Sequence, residues 1–400
     1  MNEKTLRSLE TECDDCLEAK FGDTGIPGAI FIALDRDGST IYSRNMGTRE
    51  VNSAQAMTDD TMFWVASCVK VFTAMSVMKC VEQGLVTLDA NILEHVPELA
   101  KQPVRQPTDE PGKHTFSPRT EPITLRMLMT NTAGVGYPPG ELSSPEALED
   151  LATGKGPWAQ AKVEFHAGGP LKFQPGEKWE YGGSMEWAGR VVESVTGRRL
   201  GDFMAEHILE PSGVRDITFE LTEDQHSRMA ASHFRWPDGR VNARAKFYSD
   251  NVIDHCGGSG LYATAPDFAQ ALLPLINGGV HPITGKRILE SETVRDMFAG
   301  QLTPEQVLWL DRPSLISEHI FSPGVEKQWG LSGLLMPKGS PTGRGEGTAT
   351  WFGGANTHWM ADSTKGIVMV VFAQVVSMPL GDERLLTLRD ELEKSIYQRF

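Results

Sequence analysis

Apolar and polar positions follow two rhythms along this chain. The two-residue rhythm of strands opens in "GAIFIALDRDGSTIYSRNMG" (28–47), where two apolar segments flank "DRDG", a strong hairpin signal. It returns weakly near "GSGLYAT" and strongly in "WGLSGLLM", "ATWFGGANTHWMAD" and "GIVMVVFAQVV". The helical rhythm governs the opening segment, predicted to end at Gly22. After "FWVAS", it runs through Val69, Phe72, Met75, Val77, Met78 and Val81 to Gly84, a predicted C-cap. "ITLRMLMTNTAGV", "SMEWAGRVVESVTGRRLGDFMAEHIL" and "LTLRDELEKSIYQRF" continue it.

Residues 101–122 break both rhythms with Pro, Gly, Thr and charge, the signature of a loop or boundary. Strands near both ends with helices between them predict an α/β (α+β) architecture, an antiparallel sheet flanked by helices. One domain would comprise residues 1–100 and 255–400. A mostly helical domain, 101–254, would be inserted between them. No internal repeat or low-complexity tract is visible.

Composition narrows the function classes. The chain has 400 residues and a formal net charge of −15, which argues against a nucleic-acid partner, since phosphate binding needs basic patches. No stretch approaches the roughly 20 apolar residues of a membrane span. The opening "MNEKTLRSLETECDD" lacks an apolar secretory core, so a cytoplasmic location is expected. Five cysteines, an odd number, then point to reduced thiols. Cys13 and Cys16 form a C-x-x-C, but in an acidic amphipathic helix and without a second pair to complete a zinc site. The histidines show no metal-ligand spacing, so neither a metal nor a cofactor is expected.

Three stretches could carry chemistry. In "FWVASCVKVFTAM", Ser67 precedes Lys70 by three residues, so the two share a helix face. A serine hydroxyl needs a partner to take its proton, and a lysine can do so only when uncharged, a form that apolar burial favours. The plainer reading is a cap serine and a lysine whose tip reaches water. In "FQPGEKWEYGGSMEWAG", Tyr181 stands before two glycines, which would let its hydroxyl enter a cleft as a proton relay. It could equally be a core tyrosine. In "TWFGGANTHW", Gly353 and Gly354 interrupt an apolar run, as at a bulge or where a ligand meets an exposed amide edge.

In that order, the three stretches resemble the serine β-lactamase and penicillin-binding superfamily, whose S-x-x-K is a known catalytic pattern. "ITLRMLMTNTAGVGY", "FQPGEKWEYGG" and "GGSGLYATAPDFAQ" resemble further motifs of its class C-like esterases and acyltransferases. "WEYGGSMEWAGRVVESVTG" and "FGGANTHWMAD" look most like fungal polyketide acyltransferases of the statin-pathway transesterase type. The resemblance spans nearly the whole chain from about Gly25 and implies a β-lactamase/transpeptidase-like fold. It implies Ser67 as acylated nucleophile, Lys70 as its base and Tyr181 as the proton shuttle. It further implies the Ser67 and Ala355 N–H groups as the oxyanion hole and Tyr137 as a pocket tyrosine. Gly354, Trp158 and Phe173 are the remaining expected substrate contacts.

Two departures bear on the substrate. Lactam-cleaving relatives carry K-T-G where this chain reads Phe352-Gly353-Gly354, and Tyr-x-Asn where Gly183 takes the Asn place. Both favour an ester or thioester over a lactam. The expected activity is transfer of an acyl group from an ester or thioester donor, an acyl carrier protein included, to a hydroxyl of a small secondary metabolite. A carboxylesterase is the alternative, and a β-lactamase and a non-catalytic scaffold stand behind it.

Overall fold

The computed structural model describes residues 3–110, 113–137, 153, 160–244, 246–248, 251–310, 312, 320, 324–331 and 333–399, with side chains from residue 7 onward. Its largest sheet has seven antiparallel strands. Their spatial order is Gln328–Trp329, Leu334–Met336, Thr348–Gly353, Thr357–Asp362, Ile367–Ala373, Gly28–Asp35 and Thr40–Gly47. The strand Gly28–Asp35 pairs with Ile367–Ala373 in continuous register from Ala29↔Ala373 to Asp35↔Ile367, so strands from the two end regions of the sequence lie side by side within the sheet.

Both faces of the central strands are buried, and alternate residues serve opposite layers. Phe31, Ala33, Met369 and Val371 face the first helix, Glu3–Thr24, through Leu9, Cys13, Leu17 and Phe21. They also face the last helix, Glu383–Tyr397, through Leu385, Leu388 and Leu392. Ile30, Ile32, Val368, Val370 and Phe372 belong to the larger core on the opposite side, with Phe63, Phe72 and Phe268. The helix Ala265–Ile276 covers that side, and Phe268 meets Phe372 edge-on with centroids 5.1 Å apart.

The antiparallel sheet flanked by helices is present as the sequence predicts, with several local differences. The first helix passes Gly22 and stops at Gly25, whose left-handed backbone (φ 63°) ends it. Residues 101–122 hold a short hairpin, Val104–Pro107 with His114–Ser117. "WGLSGLLM" yields only two short strands. The mostly helical middle of the chain also holds short strands among its described residues. Its strand His233–Arg235 pairs in parallel with Val375–Ser377, which ties it to the C-terminal part of the sequence.

Two packing relations set the site. The helix Lys70–Glu82 lies against Ser184–Thr196. The strand Thr348–Gly353 pairs on one side only through Thr348–Thr350, so among the described residues Trp351 to Gly353 have no strand partner there. That open end faces the turn that carries Ser67.

Candidate active site

The chain leaves the short strand Met62–Trp64, turns at Ala66 and forms a 3₁₀ turn, Ala66–Val69, before the α-helix begins at Lys70. The sequence predicts Ser67 and Lys70 one α-turn apart. The 3₁₀ turn serves the purpose better, because three residues per turn stack positions i and i+3 directly. Ala66 takes a left-handed backbone (φ 46°), costing a non-glycine residue roughly 1 kcal/mol. Such strain recurs where a chain presents a functional group.

Lys70 is 3 % exposed. Its Nζ lies 2.9 Å from Ser67 Oγ and donates to the Gly258 carbonyl at 2.6 Å. It stands 5.0 Å from the centroid of the Tyr181 ring. No carboxylate forms an ion pair with it among the described residues. Tyr181 is held by Trp351, whose Nε1 donates to the phenolic oxygen at 3.0 Å. Its ring centroid is 4.9 Å from that of Trp351 and 5.7 Å from that of Tyr137.

Tyr137 stands closer to the chemistry than a pocket wall. Its hydroxyl is hydrogen-bonded to both Ser67 and Tyr181. Burial, then the neighbouring Tyr181 and Glu186, push its phenol well above the usual value against the pull of the Ser67 bond. It therefore sits in the site as a neutral hydroxyl.

Gly353 and Gly354 do different work from each other. They lead into the turn Gly354–Asn356 between two strands, and no bulge is formed. A Cβ on Gly353 would lie 2.4 Å from the Val65 carbonyl oxygen and 2.3 Å from Thr357 Oγ1, so only glycine fits. Thr357 Oγ1 donates to that same carbonyl at 2.9 Å, and Cys68 Sγ donates to the Thr357 carbonyl at 3.3 Å. The turn that carries Ala355 is thus clamped to the turn that carries Ser67. Gly354 instead borders open space, the nearest neighbour of an added Cβ being Leu380 Cδ2 at 3.6 Å.

These groups floor a cleft of about 80 Å³. Its walls include Trp64, Tyr137, Tyr181, Phe247, Phe352 and Leu380, and Trp64 stacks on Phe247 with centroids 4.1 Å apart. None of the described lining residues is Lys or Arg. Ser67, Lys70, Tyr181, Tyr137 and Gly354 come together here, with Ala355 on the adjoining turn. Phe173 does not line the cleft. Its carbonyl packs under Gly134 and its ring lies under Lys178, because the segment 171–174 supports the loop leading to Tyr137 from behind. Trp158 lies outside the described residues.

Several neighbours escape the sequence reading. His166 and Ser259 line the cleft. Glu186, 1 % exposed, accepts from the Gly258 N–H at 2.9 Å and from Ser259 Oγ at 2.7 Å. Its one signal in the sequence is a charge set among apolar residues in "SMEWAG". The C-x-x-C takes no part. Cys13 is buried against the sheet and its thiol is pushed up to about 12, mainly by that burial; Cys16 is raised by burial and by Glu391. No group of three metal-ligating side chains occurs among the described residues.

The beta-lactamase family profile matches residues 10–393. The chain belongs to that family. It is 31 % identical to a lovastatin esterase of Penicillium rubens, over 94 % of this chain and 96 % of the relative. It is 29 % identical to a monacolin J acid methylbutanoyltransferase of Aspergillus terreus, over 94 % of this chain and 92 % of the relative. A mutant of simvastatin synthase from Aspergillus terreus superposes with a TM-score of 0.80 at 29 % identity, covering 99 % of this chain and 95 % of the other. The architecture is the β-lactamase/transpeptidase-like fold, and this member is an enzyme of the acyltransferase and esterase class. Among its described residues no helix is long and apolar enough to cross a membrane.

Proposed function

We propose that this enzyme moves an acyl group from an ester or thioester donor to a hydroxyl of a small secondary metabolite, through an acyl-Ser67 intermediate. The observation that carries the reading is the 2.9 Å approach of Ser67 Oγ to a buried amine that has no carboxylate partner among the described residues. Lys70 takes the serine proton as Oγ attacks the donor carbonyl. The oxyanion is received by the Ser67 and Ala355 N–H groups, an arrangement in which one donor is worth about 10²–10³ in rate. Collapse expels the donor alcohol or thiol, which takes back a proton relayed by Tyr181. The acceptor hydroxyl then loses its proton by the same relay, attacks the acyl carbon and releases Ser67.

The chemistry of the cleft lining suits this substrate class. Its aromatic walls suit an apolar acyl chain or a polyketide ring system. With no lysine or arginine among the described lining residues, a lactam's carboxylate would find no cation. An acyl carrier protein would present the same thioester as a small donor. Hydrolysis is the second reading, favoured by the relative named as an esterase.

Three donors separate the readings: a p-nitrophenyl ester, a short acyl thioester and a chromogenic cephalosporin, each followed by intact-mass spectrometry. Transfer predicts an adduct from the thioester or the ester that persists in water and disappears when an alcohol is added. Rapid turnover without alcohol would make the enzyme an esterase. Turnover of the cephalosporin alone would overturn both.

A further inference from the structure

We infer that Glu186 is a positioning residue for the Lys70 amine, acting through the backbone of Gly258; this rests on the acyl-Ser67 reading above. Lys70 Nζ has two polar contacts among the described residues, Ser67 Oγ and the Gly258 carbonyl. Where that carbonyl sits decides where the amine sits relative to the serine. The loop Cys256–Gly260 that carries it contains three glycines, so its backbone needs support from elsewhere.

Glu186 supplies that support. One carboxylate oxygen takes the Gly258 N–H at 2.9 Å and the other takes the Ser259 hydroxyl at 2.7 Å. The loop is braced further by Thr73 Oγ1 donating to the Gly257 carbonyl at 2.7 Å and Trp64 Nε1 donating to the Ser259 carbonyl at 2.7 Å. The fit is close. A Cβ on Gly258 would come within 2.7 Å of Glu186 Oε1, so this glycine leaves room for the carboxylate.

Glu186 is 1 % exposed and has no ion pair with Lys, Arg or His among the described residues. Burying a carboxylate without a counter-ion is costly unless strong donors replace water. Here the replacements are the two loop donors and the first turn of the helix Ser184–Thr196, whose N-terminal end favours negative charge. Tyr181 lies three residues before that helix, so one rigid element carries both Tyr181's entry into the cleft and the anchor of Lys70's partner. The chain of contacts runs from Glu186 to Gly258, Lys70 and Ser67.

Two substitutions cut the chain at different points. Glu186→Gln keeps the shape, but its amide offers a donor where one of the two loop groups needs an acceptor. Gly258→Ala inserts the Cβ that meets Oε1. Both are tested by rapid-mixing acylation with a p-nitrophenyl ester, normalised to folded protein by near-UV circular dichroism. Intact mass confirms the adduct. Each variant is expected to lose about 10–100-fold in the first-order acylation rate with donor Kd unchanged, the signature of a reacting pair held slightly out of place. Glu186→Asp, which keeps an acceptor-only carboxylate, should recover part of the loss. If the folded fraction of both Glu186→Gln and Gly258→Ala acylates at the wild-type rate, or loses only donor affinity, Glu186 does not position Lys70. Should Glu186→Gln fail to fold, Gly258→Ala decides. Absence of any adduct on the wild-type enzyme would instead overturn the acyl-Ser67 reading itself.

Discussion

At the scale of single residues, the site depends on close approaches that only particular side chains permit. Gly353 and Gly354 are adjacent and alike in the sequence, yet one is fixed by the nucleophile turn and the other borders the cleft. Gly353→Ala forces a Cβ into the Val65 carbonyl and parts the two turns, at a cost of about 1–3 kcal/mol. Gly354→Ala adds a methyl that meets only Leu380, at ordinary van der Waals distance. Thermal melts and ester kinetics should therefore separate the pair, with Gly353→Ala melting lower and acylating more slowly. Gly354→Ala should melt like the wild type and change only KM. Equal melting temperatures would show that the clamp does not bear on stability. Ser67, Lys70, Tyr181 and Tyr137 were legible in the sequence because short motifs hold them. Glu186 was not, since its partners lie 72 and 73 residues away and no local pattern announces them.

At the scale of elements, legibility followed length and the strength of the alternation. The strands Gly28–Asp35 and Ile367–Ala373 carry long apolar runs because both faces are buried, and both were readable. The hairpin Val104–Pro107 with His114–Ser117 was not, because its four-residue strands are rich in polar groups and Phe116 is exposed. The parallel pairing of His233–Arg235 with Val375–Ser377 was equally hidden. Three residues are too few for a period, and the partner is remote. The α-helix expected from Ser67 begins instead at Lys70, since a 3₁₀ turn and an α-turn share the same short apolar pattern. That substitution of one helix for another is what stacks the serine and the lysine.

At the scale of the whole molecule, titration ties stability to pH. His166, His233, His255, His281 and His358 are all buried, and burial is the first cause of a lowered pKa in each. His358 is held furthest below its usual range, with Arg389 and Arg344 adding to the effect. These rings stay neutral in the fold, whereas in the unfolded chain they take up protons near pH 6.5. The unfolded state therefore binds more protons below that point, and stability falls as pH drops through it. Melting temperature should decline from about pH 7.5 to about pH 5.5, before the carboxylates titrate. His358→Gln should flatten that decline. A melting temperature constant over the interval would contradict the assignment.

The central claim is that the Lys70 amine removes the Ser67 proton, and a single-turnover measurement of Ser67 acylation in Lys70→Ala tests it most directly. General-base assistance is typically worth about 10²–10⁴ in rate. The account predicts a loss in that range, with the acyl adduct mapped to Ser67 in the wild type and absent from Ser67→Ala. A Lys70→Ala enzyme that acylates Ser67 within a few-fold of the wild-type rate would contradict it.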